Sequence, residues 1–183
     1  MINKLMEWIL HMDGMILLWI QENLRHDLWT PFWKLVSFLG DAGWFWILTA
    51  LVLLMRKKTR TAGVLSLCSL GTGAVITNVL LKNLVARPRP YDVLEGLVPL
   101  VPRLSDYSFP SGHTCASFAC ALILYRMLPE KKGMIFLILA FLIGLSRLYV
   151  GVHYPTDVLG GALAGIISSA IVCWVYQQYK SRR

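Results

Sequence analysis

Residues 62–81 run for twenty positions without a charged side chain. That length is what an α-helix needs to cross the hydrocarbon core of a bilayer. Inside lipid, only a helix or a closed barrel satisfies every backbone polar group. The stretch is not isolated. Gly43–Met55, which reaches spanning length if it begins near Phe38, and residues 112–128, 134–150 and about 156–176 are of the same character. The chain is 15% charged with a mean hydropathy of +0.58, where a soluble domain carries about 25% charged residues. The expected fold class is therefore all-α: a polytopic membrane helix bundle forming one integral membrane domain over residues 1–183. Five spans follow from the apolar runs. Residues 5–25 are apolar but hold Glu7, His11, Asp13 and Glu22, so this segment either spans or lies on the surface. If it spans, the bundle has six transmembrane helices. Leu28–Leu39, with Trp29, Phe32, Trp33 and Phe38, suits a membrane interface.

The net charge is +8, from 18 basic and 10 acidic residues. Its distribution argues against a nucleic-acid partner, because the basic residues lie between apolar runs. The blocks are Arg56-Lys57-Lys58-Thr59-Arg60, Lys131-Lys132 and Lys180-Ser181-Arg182-Arg183. Basic loops mark the cytoplasmic side and attract anionic lipid. With the first block inside, alternation puts residues 82–110 outside, 129–133 inside, 151–156 outside and the C-terminus inside. The three blocks agree on a multi-pass protein of the cell membrane. The four cysteines (Cys68, Cys115, Cys120 and Cys173) form no CxxC pair and sit in apolar runs. They read as buried small hydrophobes, with neither disulfide nor zinc expected. With Lys4 as its one early basic residue, the N-terminus does not read as a cleaved signal peptide.

Residues 82–110 contain Pro88, Pro90, Pro99, Pro102 and Pro110 and read as a long external loop. Polar residues cluster at its two ends and once more downstream. The groups are Lys82 with Arg87 and Arg89, then Ser111-Gly112-His113, then Ser146-Arg147 with His153 and Asp157. The topology places all three on the external face. Gathering there, rather than along a path through the bundle, they disfavour the competing reading of a transport or structural protein.

The residue types suit a phosphoryl group. Ser111-Gly112 precede a helix N-terminus, whose free N–H groups favour an anion. Lys82, Arg89 and Arg147 supply positive charge, and an arginine fork matches phosphoryl oxygens. His153 and Asp157 are four apart and share a face if the helix runs through both. Asp157 then fixes one ring nitrogen of His153 and leaves the other as a nucleophile. His113 can protonate the leaving oxygen and afterwards activate water. Each residue alone has a plainer reading: a helix cap for Ser111, a snorkelling cation for Arg147, a helix-end charge for Asp157. Arg87 falls outside this set and reads as a rim residue.

In order and spacing, the clusters resemble the type 2 phosphatidic acid phosphatase superfamily. A lysine, six residues and Arg-Pro match Lys82 to Arg89-Pro90. Pro-Ser-Gly-His matches Pro110 to His113. Ser-Arg, five residues, His, three residues and Asp match Ser146-Arg147, His153 and Asp157. The motifs cover residues 82–157. The resemblance implies phosphate contacts from Lys82, Arg89, Ser111, Gly112 and Arg147, with His153 as nucleophile, Asp157 as its partner and His113 as acid–base group. It also implies work without a metal or other cofactor, and six helices. The substrate it implies is a membrane lipid phosphate. The short chain and compact loop resemble bacterial undecaprenyl-pyrophosphate phosphatases. Phosphatidylglycerol phosphate and phosphatidic acid are the alternatives.

Overall fold

In the computed structural model of the chain, which describes residues 2–182, the apolar runs are helices and no strand occurs among the described residues. The helices are α1 (Ile2–Asn23), α2 (Thr30–Leu39), α3 (Trp44–Leu54), α4 (Arg60–Ala74), α5 (Lys82–Val85), α6 (Pro90–Val93), α7 (Gly112–Met127), α8 (Glu130–Tyr149) and α9 (Pro155–Ser181). A π-helical segment, Val75–Leu81, joins α4 to α5 without a break. By length and composition, three stretches can cross a membrane: Arg60–Val93, α8 and α9. The pair α2 and α3, bent by 46° at its junction, makes a fourth. At 16 residues α7 is short, and α1 carries Lys4, Glu7, Asp13 and Glu22.

Helix α7 is the axis of the bundle and packs on α4, α8 and α9. Its Ala119, Cys120, Ala121, Ile123 and Leu124 are fully buried. Outward faces stay apolar, with Leu51, Ile138, Phe141, Leu159 and Leu163 exposed. A soluble monomer rarely tolerates so extended an apolar surface; lipid-facing helices require one. Polar bonds inside the bundle also tie α3 and α4 to α7. The buried Trp46 indole donates to Ser117 Oγ at 3.0 Å, and Ser69 Oγ donates to the Ala119 carbonyl at 2.8 Å.

The α7–α9 contact sets the position of everything that follows. A Cβ on Gly165 would stand 2.6 Å from the Cys115 carbonyl oxygen, and one on Gly161 would strike the Ser111 carbonyl. Small residues four apart thus let the two backbones touch. This close approach lets the Ser111 N–H donate to the Asp157 carbonyl at 3.0 Å, so the start of α7 meets the start of α9.

Residues 82–110 are more ordered than a proline-rich loop suggests. Tyr91 closes the loop on itself, its hydroxyl accepting from the Leu104 N–H at 2.9 Å and lying 3.1 Å from the Leu104 carbonyl. The Leu100 N–H donates to the Val150 carbonyl at 2.9 Å. Leu17 of α1 packs in one cluster with Tyr91, Leu97, Val150 and Val152. Arg25, just past α1, donates to the carbonyls of Tyr149 at 2.9 Å and Val98 at 2.6 Å. The first helix, ambiguous in sequence, is the clamp that holds the loop against α8.

Candidate active site

The three polar clusters meet at one end of the bundle, each delivered by a helix terminus. Lys82 follows the π-helical segment. A π turn inserts an extra residue into the helical register, changing the face from which Lys82 emerges. Lys82, Arg89 and Arg147 are all buried. Lys82 Nζ pairs with one carboxylate oxygen of Asp106, and Arg89 Nη2 pairs with the other at 2.6 Å. Asp106, in the loop and half exposed, thus bridges two of the expected phosphate contacts. Partial burial opposes its ionisation, but the bond from Lys82 and the charges of Arg89 and Lys82 prevail and hold it down to about 2. Arg147 is held differently. Its Nη1 meets the Ser37 hydroxyl, while its buried Nε has no hydrogen-bond acceptor and no carboxylate pairs with it among the described residues. A buried cation without a counter-charge is costly.

Ser111 is the N-cap of α7. Its Oγ accepts from the Thr114 hydroxyl at 2.9 Å and more loosely from the Thr114 N–H at 3.4 Å. Both lone pairs are engaged, so the hydroxyl proton is left to donate. Gly112 has room for a side chain, since a Cβ there would meet no protein atom nearer than Asn78 Oδ1 at 3.7 Å. The fold itself does not demand glycine at this position.

His153 and Asp157 are brought together, though not by a shared helix face. Helix α9 starts at Pro155, so His153 lies in the turn before it. Asp157 sits in the first turn and accepts from the Tyr154 N–H at 2.9 Å, closing a capping box. His153 Nδ1 is 3.5 Å from Asp157 Oδ2, a long contact for a hydrogen bond that leaves the buried Nδ1 without a hydrogen-bond partner among the described residues, and Ser108 Oγ donates to that same oxygen at 2.5 Å. His153 Nε2 is 3.1 Å from Arg89 Nη1. An arginine can only donate, so Nε2 carries the lone pair and Nδ1 the proton. Burial drives the His153 pKa down to about 3; the nearby Asp157 opposes this, and the charges of Arg89 and Arg147 add to it. The ring is a neutral imidazole at physiological pH.

Arg87 is a correction to the sequence reading. Instead of standing on the rim, it is largely enclosed. It donates to Asp157 Oδ1 at 2.8 Å, to Thr156 Oγ1 at 2.7 Å and to Asp13 Oδ2 at 2.8 Å, with its guanidinium 3.8 Å over the Tyr154 ring. Asp13, buried in α1, also accepts from the Thr156 N–H at 3.1 Å. His113 has a partner that sequence reasoning did not single out: its Nε2 is 2.6 Å from Asp41 Oδ1, in the break between α2 and α3. Asp13 carried a signal, since a carboxylate inside an apolar segment marks function. Asp41, Asp106 and Ser108 sit in polar turns and carried none.

A family model for the PAP2 superfamily matches residues 62–182. The chain belongs to the PAP2 superfamily. It is 35% identical over 133 residues to an undecaprenyl-diphosphatase of Sulfolobus acidocaldarius, covering 72% of this chain and 64% of that protein. Over 115 residues it is 39% identical to phosphatidylglycerophosphatase B of Bacillus subtilis, covering 57% and 53%. Among solved structures, the crystal structure of Aquifex aeolicus LpxE superposes with a TM-score of 0.77 at 32% identity, covering 90% of this chain and 93% of that one. The matched regions span about half to two thirds of the curated relatives' lengths. The family match starts at residue 62, so Asp13 and Asp41 lie outside it.

Proposed function

We propose that this protein hydrolyses the terminal phosphate of a membrane lipid phosphate, with undecaprenyl diphosphate as substrate and undecaprenyl phosphate as product. The observation that carries this reading is the gathering of buried Lys82, Arg89 and Arg147 at the end of the bundle that holds His153, with Arg89 against His153 Nε2 and joined to Lys82 through Asp106. Phosphoryl transfer spreads negative charge over three equatorial oxygens, and fixed cations stabilise it without rearranging. The guanidinium of Arg147, with no carboxylate paired to it among the described residues, suits an anionic substrate. The open side of Gly112 suits close approach of an oxygen to the α7 N-terminus. A cavity of about 530 Å³ opens beside Lys82, Gly112 and His113. Part of its wall is apolar, formed by Ile47, Leu67, Leu70 and Ala116 among others, and suits the first part of a lipid chain.

In the first step, His153 Nε2 attacks phosphorus and the bond to the leaving oxygen breaks, that oxygen taking a proton from His113. Arg89 must release Nε2 to the phosphorus for this to happen. In the second step, His113 takes a proton from water, the hydroxide attacks, the P–N bond breaks and orthophosphate leaves. Asp157, held by Ser108, Arg87 and the Tyr154 N–H, keeps the His153 proton on Nδ1. All of these steps use protein groups, so activity is expected to survive EDTA; loss restored by magnesium would refute that part.

The polyprenyl substrate draws support from relatives named undecaprenyl-diphosphatase in Sulfolobus acidocaldarius and Bacillus subtilis. Phosphatidylglycerol phosphate is the second reading. It is favoured by the likeness to the Bacillus subtilis phosphatidylglycerolphosphate phosphatase structure, with a TM-score of 0.76 at 28% identity. Purified protein assayed side by side on undecaprenyl diphosphate, phosphatidylglycerol phosphate and phosphatidic acid decides between them. The first reading requires the highest kcat/KM on the diphosphate. For topology we take six spans, formed by α1, the bent pair α2–α3, the α4 stretch, α7, α8 and α9, with the site on the extracytoplasmic face. The basic turns at 56–60 and 129–132 support this orientation, since they lie at the ends of α4 and α8 away from the site.

A further inference from the structure

Helices α2 and α3 are separated by Gly40-Asp41-Ala42-Gly43, and this break is shaped around His113. Ala42 has φ +49° and Gly43 has φ +68°. Two successive left-handed residues, one of them an alanine, make a conformation that costs free energy and persists where surroundings enforce it. What the turn achieves is the placement of Asp41 Oδ1 2.6 Å from His113 Nε2. Gly40 completes the fit. A Cβ at this position would stand 2.7 Å from His113 Cδ2 and 2.9 Å from Ile143 Cγ2, so only glycine lets the ring lie against the break. The Nε2–Cδ2 edge of the imidazole is thus committed to the break. Nδ1, with no hydrogen-bond partner among the described residues, is the nitrogen left to exchange a proton. His113 lines the same cavity as Lys82 and Gly112.

From this geometry we infer that Asp41 is the positioning residue of the acid–base histidine, accepting from Nε2–H so that Nδ1 gives and takes the proton at the reacting phosphate. The carboxylate also stabilises the imidazolium that forms when Nδ1 takes a proton from water. Histidines that work as acid–base groups are commonly oriented through the nitrogen that does not react. This inference rests on the proposed role of His113, and the test separates the two.

The experiment compares full-length Asp41→Asn, Asp41→Glu, His113→Asn and the Asp41→Asn/His113→Asn double variant in detergent. Each is assayed on a lipid monophosphate, whose alkoxide leaving group needs a proton, and on an aryl phosphate, whose phenolate does not. Asp41→Asn should lower kcat/KM, which reports the first, leaving-group step alone, by about 10- to 100-fold on the lipid monophosphate, in keeping with the size of acid–base contributions. The loss should be far smaller on the aryl phosphate, and Asp41→Glu should recover part of it. In the His113→Asn background, Asp41→Asn should add nothing. Equal losses on both leaving groups, or a loss that adds to that of His113→Asn, would overturn the inference and make Asp41 a structural residue. An impaired His113→Asn beside an unimpaired Asp41→Asn would also overturn it while leaving the reaction reading intact. An unimpaired His113→Asn would overturn the role of His113 itself.

Discussion

The two histidines of the site are held by opposite strategies. His153 is sealed in. Its carboxylate partner Asp157 is fully buried and accepts from Ser108, Arg87 and the Tyr154 N–H. Behind Arg87 stands Asp13 of α1, so three ranks of side chains back one ring. His113 is partly open to the cavity, and its partner Asp41 is half exposed on a turn with two left-handed residues. The contrast fits the different demands of the two proposed roles. A nucleophile must be aimed and kept neutral, which burial achieves. A proton carrier must meet leaving groups and water, which burial would prevent.

Mutations that strip the His153 side rank by depth. His153→Ala removes the proposed nucleophile and should reduce phosphate release from purified protein on the order of 10⁴-fold or more. Substantial turnover in folded protein would end the phosphohistidine mechanism. Asp157→Asn keeps the shape but loses the charge that orients the ring, and about a 10³-fold loss in kcat is expected. Arg87→Gln frees Asp157 on one side only. About a 10- to 100-fold loss is expected, the range seen when an outer partner is removed. Asp13→Asn, one rank further out, should cost less than Arg87→Gln; a larger loss would mean that α1 does more than clamp the loop.

Acid should act on the sealed histidine through stability. His153 stays unprotonated in the fold down to about 3, whereas an unfolded histidine takes a proton near 6.5. Between those values the unfolded chain binds the extra proton, so this group makes stability fall as pH drops from about 6.5 toward 3 and contributes no slope above that window. Thermal unfolding in detergent at stepped pH should show the decline, and His153→Asn should make it shallower. An unchanged slope would mean that other groups control acid sensitivity. The smallest effect concerns placement alone. A single cysteine at Asp92, which is exposed, should react with an impermeant reagent in intact cells; protection until lysis would invert the topology.

Much of the site was legible because its residues fall at helix ends. Ser111, Gly112, His113, Arg147, His153 and Asp157 interrupt apolar runs, and lipid leaves few reasons for polar groups there. The helices themselves were legible from the same runs, within a few residues at their ends. The roles of Arg87 and Asp13 were not, because each depends on a partner 70 or more residues away. Arg87, in a polar loop, looked like any surface cation. The helix face expected to join His153 to Asp157 is replaced by a turn and a capping box, since α9 starts at Pro155, after the histidine.

By itself, the sequence determined the helical membrane bundle, the family and which polar residues gather at the ends of its apolar runs. Those follow from hydropathy, spacing and residue chemistry, all of them local. The tertiary structure alone decided which carboxylate His113 meets and which ones Arg87, Lys82 and Arg89 pair with. Asp41 reaches His113 through a break between helices, Asp13 reaches Arg87 from α1, and Asp106 spans Lys82 and Arg89 from a loop. A charge in a turn has many possible partners in sequence, and only the packing of α1, α2 and the loop against the α7–α9 pair selects one.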